Sequence, residues 1–344
     1  MRQLIKNIFK GSLRYLNYAS WKIYSPNKIS SIDYKKSDKI LIVNLGFIGD
    51  LLATTPLISK LKNDGKKVDL LILDSMKEVF EGNKKVNRVI SVKDENKIRI
   101  NQNYDLILLV HPNSIILDRK GKIVSDSPVG FDVLKQRNGL KRPFFNESHK
   151  VLQNLEFLNL LKGQKQEFNP INSPMELFLT KNEIEKAKKK FDLNEPFVVL
   201  SIGSRGQKRI GVKFPKSEKF IAVSNYFTNL GYKVVIVGTR DQYEECSKIS
   251  NTGKKGEIIN LAGKTSLREL FSIIELSDFV FAVDSGSIHI AAALKKRIID
   301  IIRAHQRKIW SPWTVKECKV LYAKGNNLDS ITLKEMIEAA RKFS

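Results

Sequence analysis

Residues 39–61 read KILIVNLGFIGDLLATTPLISKL, and the fold follows from how that stretch divides. Residues 39–45 are mostly apolar with little alternation, the pattern of a strand covered on both faces. Residues 46–50 form a glycine-containing turn, and residues 51–61 carry helical spacing. Pro56 falls inside that helical run, so the helix must kink there or start late. Two more short apolar runs, 68–73 and 104–110, read as buried parallel strands.

The alternation continues along the chain. Thr180-Lys181-Asn182-Glu183 is a capping box opening a charged helix to about Phe191, and Pro196 restarts the strands. Strands are expected at 197–202, 233–237, 258–261, 279–283 and 298–302. Helices are expected at about 217–230, after the Ser266…Glu269 cap, at 288–294 and after Thr332…Glu335. Each half is thus a doubly wound α/β domain of parallel strands. The expected organisation is a basic leader at 1–37, a Rossmann-like domain at 38–178 and a connecting helix at 179–195. A second Rossmann-like domain at 196–328 and a last helix at 329–344 follow. Ligands in such sheets bind at the carboxyl ends of strands, which points to the cleft between the domains.

Composition narrows the function classes. With 42% hydrophobic and 28% charged residues the chain is not generally disordered, and no apolar run is long enough for a membrane span. Cys246 and Cys318 are the only cysteines, too few for a disulfide scaffold or an all-protein zinc site, and they suit a reducing cytoplasm. The net charge of +24 is spread along the whole chain among many Ile and Asn, and no zinc-finger, RNP or basic-zipper pattern accompanies it. Nucleic acid is therefore not an expected partner.

The leader stands apart. Residues 1–39 hold nine Lys/Arg against two Asp. Arg2, Lys6, Lys10 and Arg14 form one stripe of a helix, with Leu4, Ile5, Ile8 and Phe9 largely away from it. That composition suits a helix lying in an anionic membrane interface, centred on residues 1–24. Equally, it suits a first helix packed on the body of the protein.

Three constellations can carry chemistry. In the first, Gly46 and Gly49 let backbone approach a ligand, and Asp50 at the helix mouth is either a general base or an N-cap. The two glycines fall short of the dinucleotide fingerprint. In the second, Asp284-Ser285-Gly286-Ser287-Ile288-His289 follows an apolar strand and opens a helix, where backbone N–H groups and hydroxyls hold phosphate. The third is residues 203–215, whose Ser204, Arg205, Lys208, Arg209 and Lys213 gather positive charge where a diphosphate would sit.

Together these motifs make residues 38–340 similar to the heptosyltransferases, glycosyltransferase family nine. Leu45–Asp50 followed by Thr54-Thr55-Pro56 resembles that family's L-G-x-I-G-D and T-T-P. Residues 260–270, NLAGKTSLREL, match N-L-x-G-x-T-S-L-x-E-L and include Thr265. Asp284–His289 matches D-[ST]-G-x-x-H, Trp310…Pro312-Trp313 matches W-G-P-W, and Gly130-Phe131-Asp132 and His149 fall where the family has G-F and a His. There are departures. Val212-Lys213-Phe214-Pro215 stands where K-x-W-P is usual, with the lysine displaced by one position. Ile302-Arg303-Ala304-His305-Gln306-Arg307 replaces F-G-P-T-D-P.

The resemblance implies a GT-B fold and an inverting, metal-independent glycosyltransferase with no cofactor. It would move heptose or a related sugar from a nucleotide-sugar, ADP-sugar favoured, to a lipopolysaccharide-like or other surface glycan, in the cytoplasm or on the inner face of its membrane. Asp50 would be the catalytic base, with Gly46 and Gly49 beside it on the acceptor side. Ser204, Lys208, Lys213, Thr265, Asp284, Ser285, Gly286 and His289 would bind donor; if neither Lys208 nor Lys213 supplies the cation, Arg303 is the next candidate. Two alternatives stand beside this reading: a nicotinamide-dependent oxidoreductase, and a non-catalytic membrane-surface protein on a decayed transferase fold.

Overall fold

The computed structural model describes residues 33–93, 98–99, 104–110, 116–117, 123–125, 139–141, 148–203, 211–252 and 256–344. The leader up to residue 32, the Gly130-Phe131-Asp132 stretch, and Ser204, Arg205, Lys208 and Arg209 lie outside these residues. The chain divides into two compact units, Met1–Asn169 and Pro170–Ser344.

In the first unit β1 (Lys39–Val43) is buried from Ile40 onward, as its unbroken apolar run requires. The chain then forms two short helices, α1 (Ile48–Leu52) and α2 (Thr55–Asn63). Pro56 explains the break. It occupies the first turn of α2, where its missing N–H is not needed, so the second helix starts late and nothing is kinked. β2 (Lys67–Leu73), β3 (Arg88–Val92), β4 (Leu106–Leu109) and β5 (Gly139–Lys141) follow, then α3 (Lys150–Lys162). All pairings in this sheet are parallel, in the order β3-β2-β1-β4-β5.

The second unit begins with α4 (Lys181–Lys190), β6 (Phe197–Ser201) and α5 (Ser217–Asn229). β7 (Lys233–Ile236), α6 (Tyr243–Thr252), β8 (Ile258–Asn260) and α7 (Leu267–Leu276) continue it. It closes with β9 (Phe279–Val283), α8 (Gly286–Ala293), β10 (Arg297–Arg303), β11 (Cys318–Ala323) and α9 (Leu333–Arg341). The sheet order is β8-β7-β6-β9-β10-β11, again parallel throughout. One face packs Val198, Leu200, Phe279 and Phe281 on Phe220, Val223 and Phe227 of α5 and Met336 and Ala339 of α9.

The three capping boxes read from the sequence are present at Thr180, Ser266 and Thr332. α4 is bound to α7 through charge: Arg268 Nε lies 2.7 Å from Glu183 Oε1 and Lys190 Nζ 2.6 Å from Glu269 Oε1. Each of these two sheets reverses its strand order once, beside its first strand. These switch points lie at β1/β4 and β6/β9, and the carboxyl ends of the strands there are where ligands bind.

Candidate active site

In the first unit, the loop leaving β1 at the switch point is organised by one asparagine. Asn44 accepts from the Gly46 N–H through Oδ1 at 2.9 Å, and its Nδ2 donates to Asp50 O and to Thr54 Oγ1 at 3.0 and 2.8 Å. Thr54 Oγ1 in turn donates to Asp50 O at 2.9 Å. From α3, Asn154 Nδ2 donates to Ala53 O at 2.9 Å and to Thr54 Oγ1 at 3.3 Å. Asn44, Thr54 and Asn154 are fully buried, so this network has no water to fall back on and holds the turn in one shape.

Asp50 is in the third position of α1, and the N-cap is Phe47, which makes no side-chain cap. The N-cap reading of Asp50 is therefore corrected. Its carboxylate folds back over Gly46, where a Cβ would fall 2.4 Å from Asp50 Cβ and 2.7 Å from Oδ2. Glycine is required there by that close approach. Gly49, in the same helix, gives its carbonyl to the Ala53 N–H. Asp50 Oδ1 is 2.9 Å from Lys150 Nζ, and the two side chains are only 17% and 7% exposed. The sequence reading missed Lys150. It lies 100 residues from Asp50, next to His149, whose Nδ1 accepts from the Val151 N–H and caps α3.

In the second unit, two loops leave the carboxyl ends of the strands that flank the switch point. After β6 the described chain runs to Gly203 and resumes at Gly211. Lys213 lies farther on, bridged through its backbone to Asn326 and Leu328. Its Nζ is 3.5 Å from Asp329 Oδ2, a carboxylate that also receives Lys219 at 2.8 Å. Thr265 sits half-buried just ahead of the Ser266 cap of α7.

After β9, the Asp284 N–H donates to Ile301 O, which carries the β9–β10 register one step further. Ser285 then takes the N-cap position of α8. Its buried Oγ makes no hydrogen bond among the described residues, and Gly286 opens the helix behind it. An N-cap hydroxyl left unused at the start of an eight-residue helix is a donor available to an anion. Since Val283 pairs with Ile301, Ser285 stands level with Arg303 on the neighbouring strand. Arg303 is buried and donates from Nη1 to Asn326 Oδ1 at 3.3 Å. Burial pushes the Asp284 carboxyl up to about 6, against the opposing pull of Arg303. Asp300, in the middle of β10 and fully buried, is raised well above the carboxylate range by burial and by Asp284. His289, on α8, is buried edge-on to Trp310 with ring centroids 5.5 Å apart. Trp313 donates its indole N–H to Ser173 O at 2.8 Å. The two late motifs of the sequence thus meet in space at His289 and Trp310.

A family model for glycosyltransferase family 9 (heptosyltransferase) matches residues 125–335, well over half of the chain. Lipopolysaccharide heptosyltransferase 3 of Escherichia coli K12 is 22% identical over 293 residues, 77% of this chain and 83% of that one. Among solved structures, the glycosyl transferase family 9 protein of Veillonella parvula has a TM-score of 0.70 at 17% identity, covering 89% of this chain and 97% of its own. The E. coli ADP-heptose lps heptosyltransferase II has a TM-score of 0.67 at 16% identity, covering 89% and 98%. These neighbours and the two parallel sheets give the GT-B architecture expected from the sequence, and the nicotinamide and decayed-fold alternatives are not favoured. The turn that opens α8, its buried histidine and the tryptophan against that histidine all fall inside the matched span, and the chain belongs to glycosyltransferase family 9, the heptosyltransferases.

Proposed function

We propose that this glycosyltransferase moves heptose, or a closely related sugar, from an ADP-sugar to a lipopolysaccharide-like acceptor with inversion at the anomeric carbon. The similarity to proteins named for ADP-heptose and for lipopolysaccharide supports that choice of donor and acceptor. The observation that carries the reading is Asp50, a carboxylate on the helix beyond the carboxyl end of the central strand, paired with Lys150 and set against Gly46. In a single displacement the acceptor hydroxyl attacks the anomeric carbon as the bond to the diphosphate oxygen breaks. Asp50 takes the hydroxyl proton, and the sugar's former diphosphate leaves as ADP. Negative charge grows on that diphosphate. The Ser285 hydroxyl, the backbone N–H groups at the start of α8 and a cation answer it without a metal. Arg303 fits the cation role better than Lys213, whose ammonium is already paired with Asp329. Ser204 and Lys208 remain proposed donor ligands from their place in the basic loop, as do Thr265, Asp284 and His289 from their motifs.

The test joins donor to base. Thermal shifts with a panel of ADP-, GDP-, UDP- and CMP-sugars should single out the ADP-sugar. Asp50→Asn should then bind that donor as the parent does while transferring about 100-fold more slowly or worse. Turnover close to the parent's would remove Asp50 from the chemistry. Among the described residues no helix is long and apolar enough to cross a membrane. Work at the cytoplasmic face, with residues 1–24 on an anionic surface, is the location proposed for an enzyme with a lipid-linked acceptor.

A further inference from the structure

Lys150 sits where a lysine is poorly placed. It is the first residue of the 13-residue helix α3, where the aligned peptide dipoles present positive charge, and its side chain is only 7% exposed. Burial and the helix end both oppose an ammonium at that position. The Asp50 carboxylate at 2.9 Å works against both. A buried ion pair contributes little to stability over an apolar pair of the same size, so stability alone is a weak reason for its presence. The same face of α3 makes a second contact one turn on, where Asn154 holds Ala53 and Thr54. α3 therefore grips the base-bearing turn at two points, one through its backbone and one through the reacting side chain itself.

We infer that Lys150 is a positioning residue for the transfer, fixing Oδ1 of Asp50 so that the carboxylate stays ionised with Oδ2 set over Gly46 to receive the acceptor proton. The inference rests on the reading of Asp50 as the base. Other titratable groups on the described elements packed nearby make the following contacts. His149 caps α3 through Nδ1. Asp74 bonds Ser91 and lies 3.8 Å from Lys77 on the 3-10 helix beside α1. Lys60 of α2 lies over the Phe168 ring, while Lys62 and Glu78 are at the surface or half-buried.

The full-length protein labelled with 13C at the aspartate carboxyls tests it without any substrate, the Asp50 signal being the one lost in Asp50→Asn. Lys150→Met should move the titration midpoint of that signal upward by at least one pH unit, and Lys150→Arg should restore most of the difference. With ADP-heptose as donor, the acid limb of the rate profile should move up with it. Turnover should fall at least tenfold, and the donor KM should stay put. An unmoved Asp50 midpoint in Lys150→Met overturns the inference, even if the melting temperature drops. Lys150→Gln serves the same measurement if the methionine variant does not fold. If Asp50→Asn keeps its turnover, the base assignment fails instead, and a shifted midpoint then marks an ion pair of structure only.

Discussion

At the scale of single residues, Asp300 is the least expected group in the molecule. It lies between Ala282 and Val320 in the interior of a parallel sheet, and neither carboxyl oxygen has a hydrogen-bond partner among the described residues. Asp284 follows the next strand on the same face, two residues beyond Ala282, so it adds to burial in raising the cost of ionising Asp300. The folded protein therefore holds protons at this pair that the unfolded chain, with ordinary aspartates near 4, has released. Stability then falls as pH rises from about 4 through the folded value, about 6 for Asp284. Asp300→Asn stays neutral at every pH, so its stability relative to the parent should improve steadily from pH 4 to pH 8. Melting curves across that range check it, and parallel curves would show that Asp300 ionises in the folded protein as it does in the unfolded chain. The run RIIDIIR reads as a strand through Asp300, but nothing in it shows that the sheet places Asp284 on the same face. Asp284 and Ser285 stood out as candidates because they follow an apolar strand directly, and Asp50 because it lies at the turn that leaves one. Lys150 and Arg303 were harder, because the partners that make them important come from distant segments brought together only by the fold.

At the scale of elements, the strands and helices found correctly were those with one strong signal each. β9 is apolar along all five residues, and the capping boxes mark α4, α7 and α9 to the residue. β3 and β11 were among the strands missed. They are the half-exposed edges of their sheets, where lysine, arginine and serine interrupt the apolar run. α3 escaped for the opposite reason. Leu, Val and Phe lie almost all around it, and Gln153 and Asn154 are buried too, so one face does not stand out. The pairing of α4 with α7 was invisible for want of any local signal, and it can be measured. Arg268 donates to Glu183 and to Phe178 O, and holds the Glu183 carboxyl down to about 2. Arg268→Ala should destabilise the protein by about 2 kcal/mol at pH 7, as expected for lost hydrogen bonds to a charged group. The deficit should shrink as pH falls below the unfolded glutamate value near 4.3, because the contribution of a depressed carboxyl is lost as it protonates. Urea denaturation of both proteins at pH 7 and pH 3 gives the comparison.

At the scale of the whole molecule, the leader is the segment whose role the sequence leaves between two readings. Deleting residues 1–24 should abolish sedimentation with anionic vesicles while leaving the melting temperature and donor binding close to the parent's. Each basic residue near such a surface adds about 1 kcal/mol, so raised salt should release the full-length protein as well. A large drop in melting temperature, with no vesicle binding by the intact chain, would instead make the leader part of the packed body. The two units share another property. Each sheet begins with its central strand, so β1 and β6 precede every strand that will flank them. On the ribosome β6 gains β7 and β8 on one side first, while its other edge waits for β9, about 80 residues later. At about 5–20 residues per second that edge stays open for roughly 4–16 seconds of synthesis. If β6 pairs as it emerges, its apolar FVVLS edge waits unpaired along one side, and the yield of soluble enzyme should depend on translation speed across residues 202–278 and on chaperones that cover strand edges.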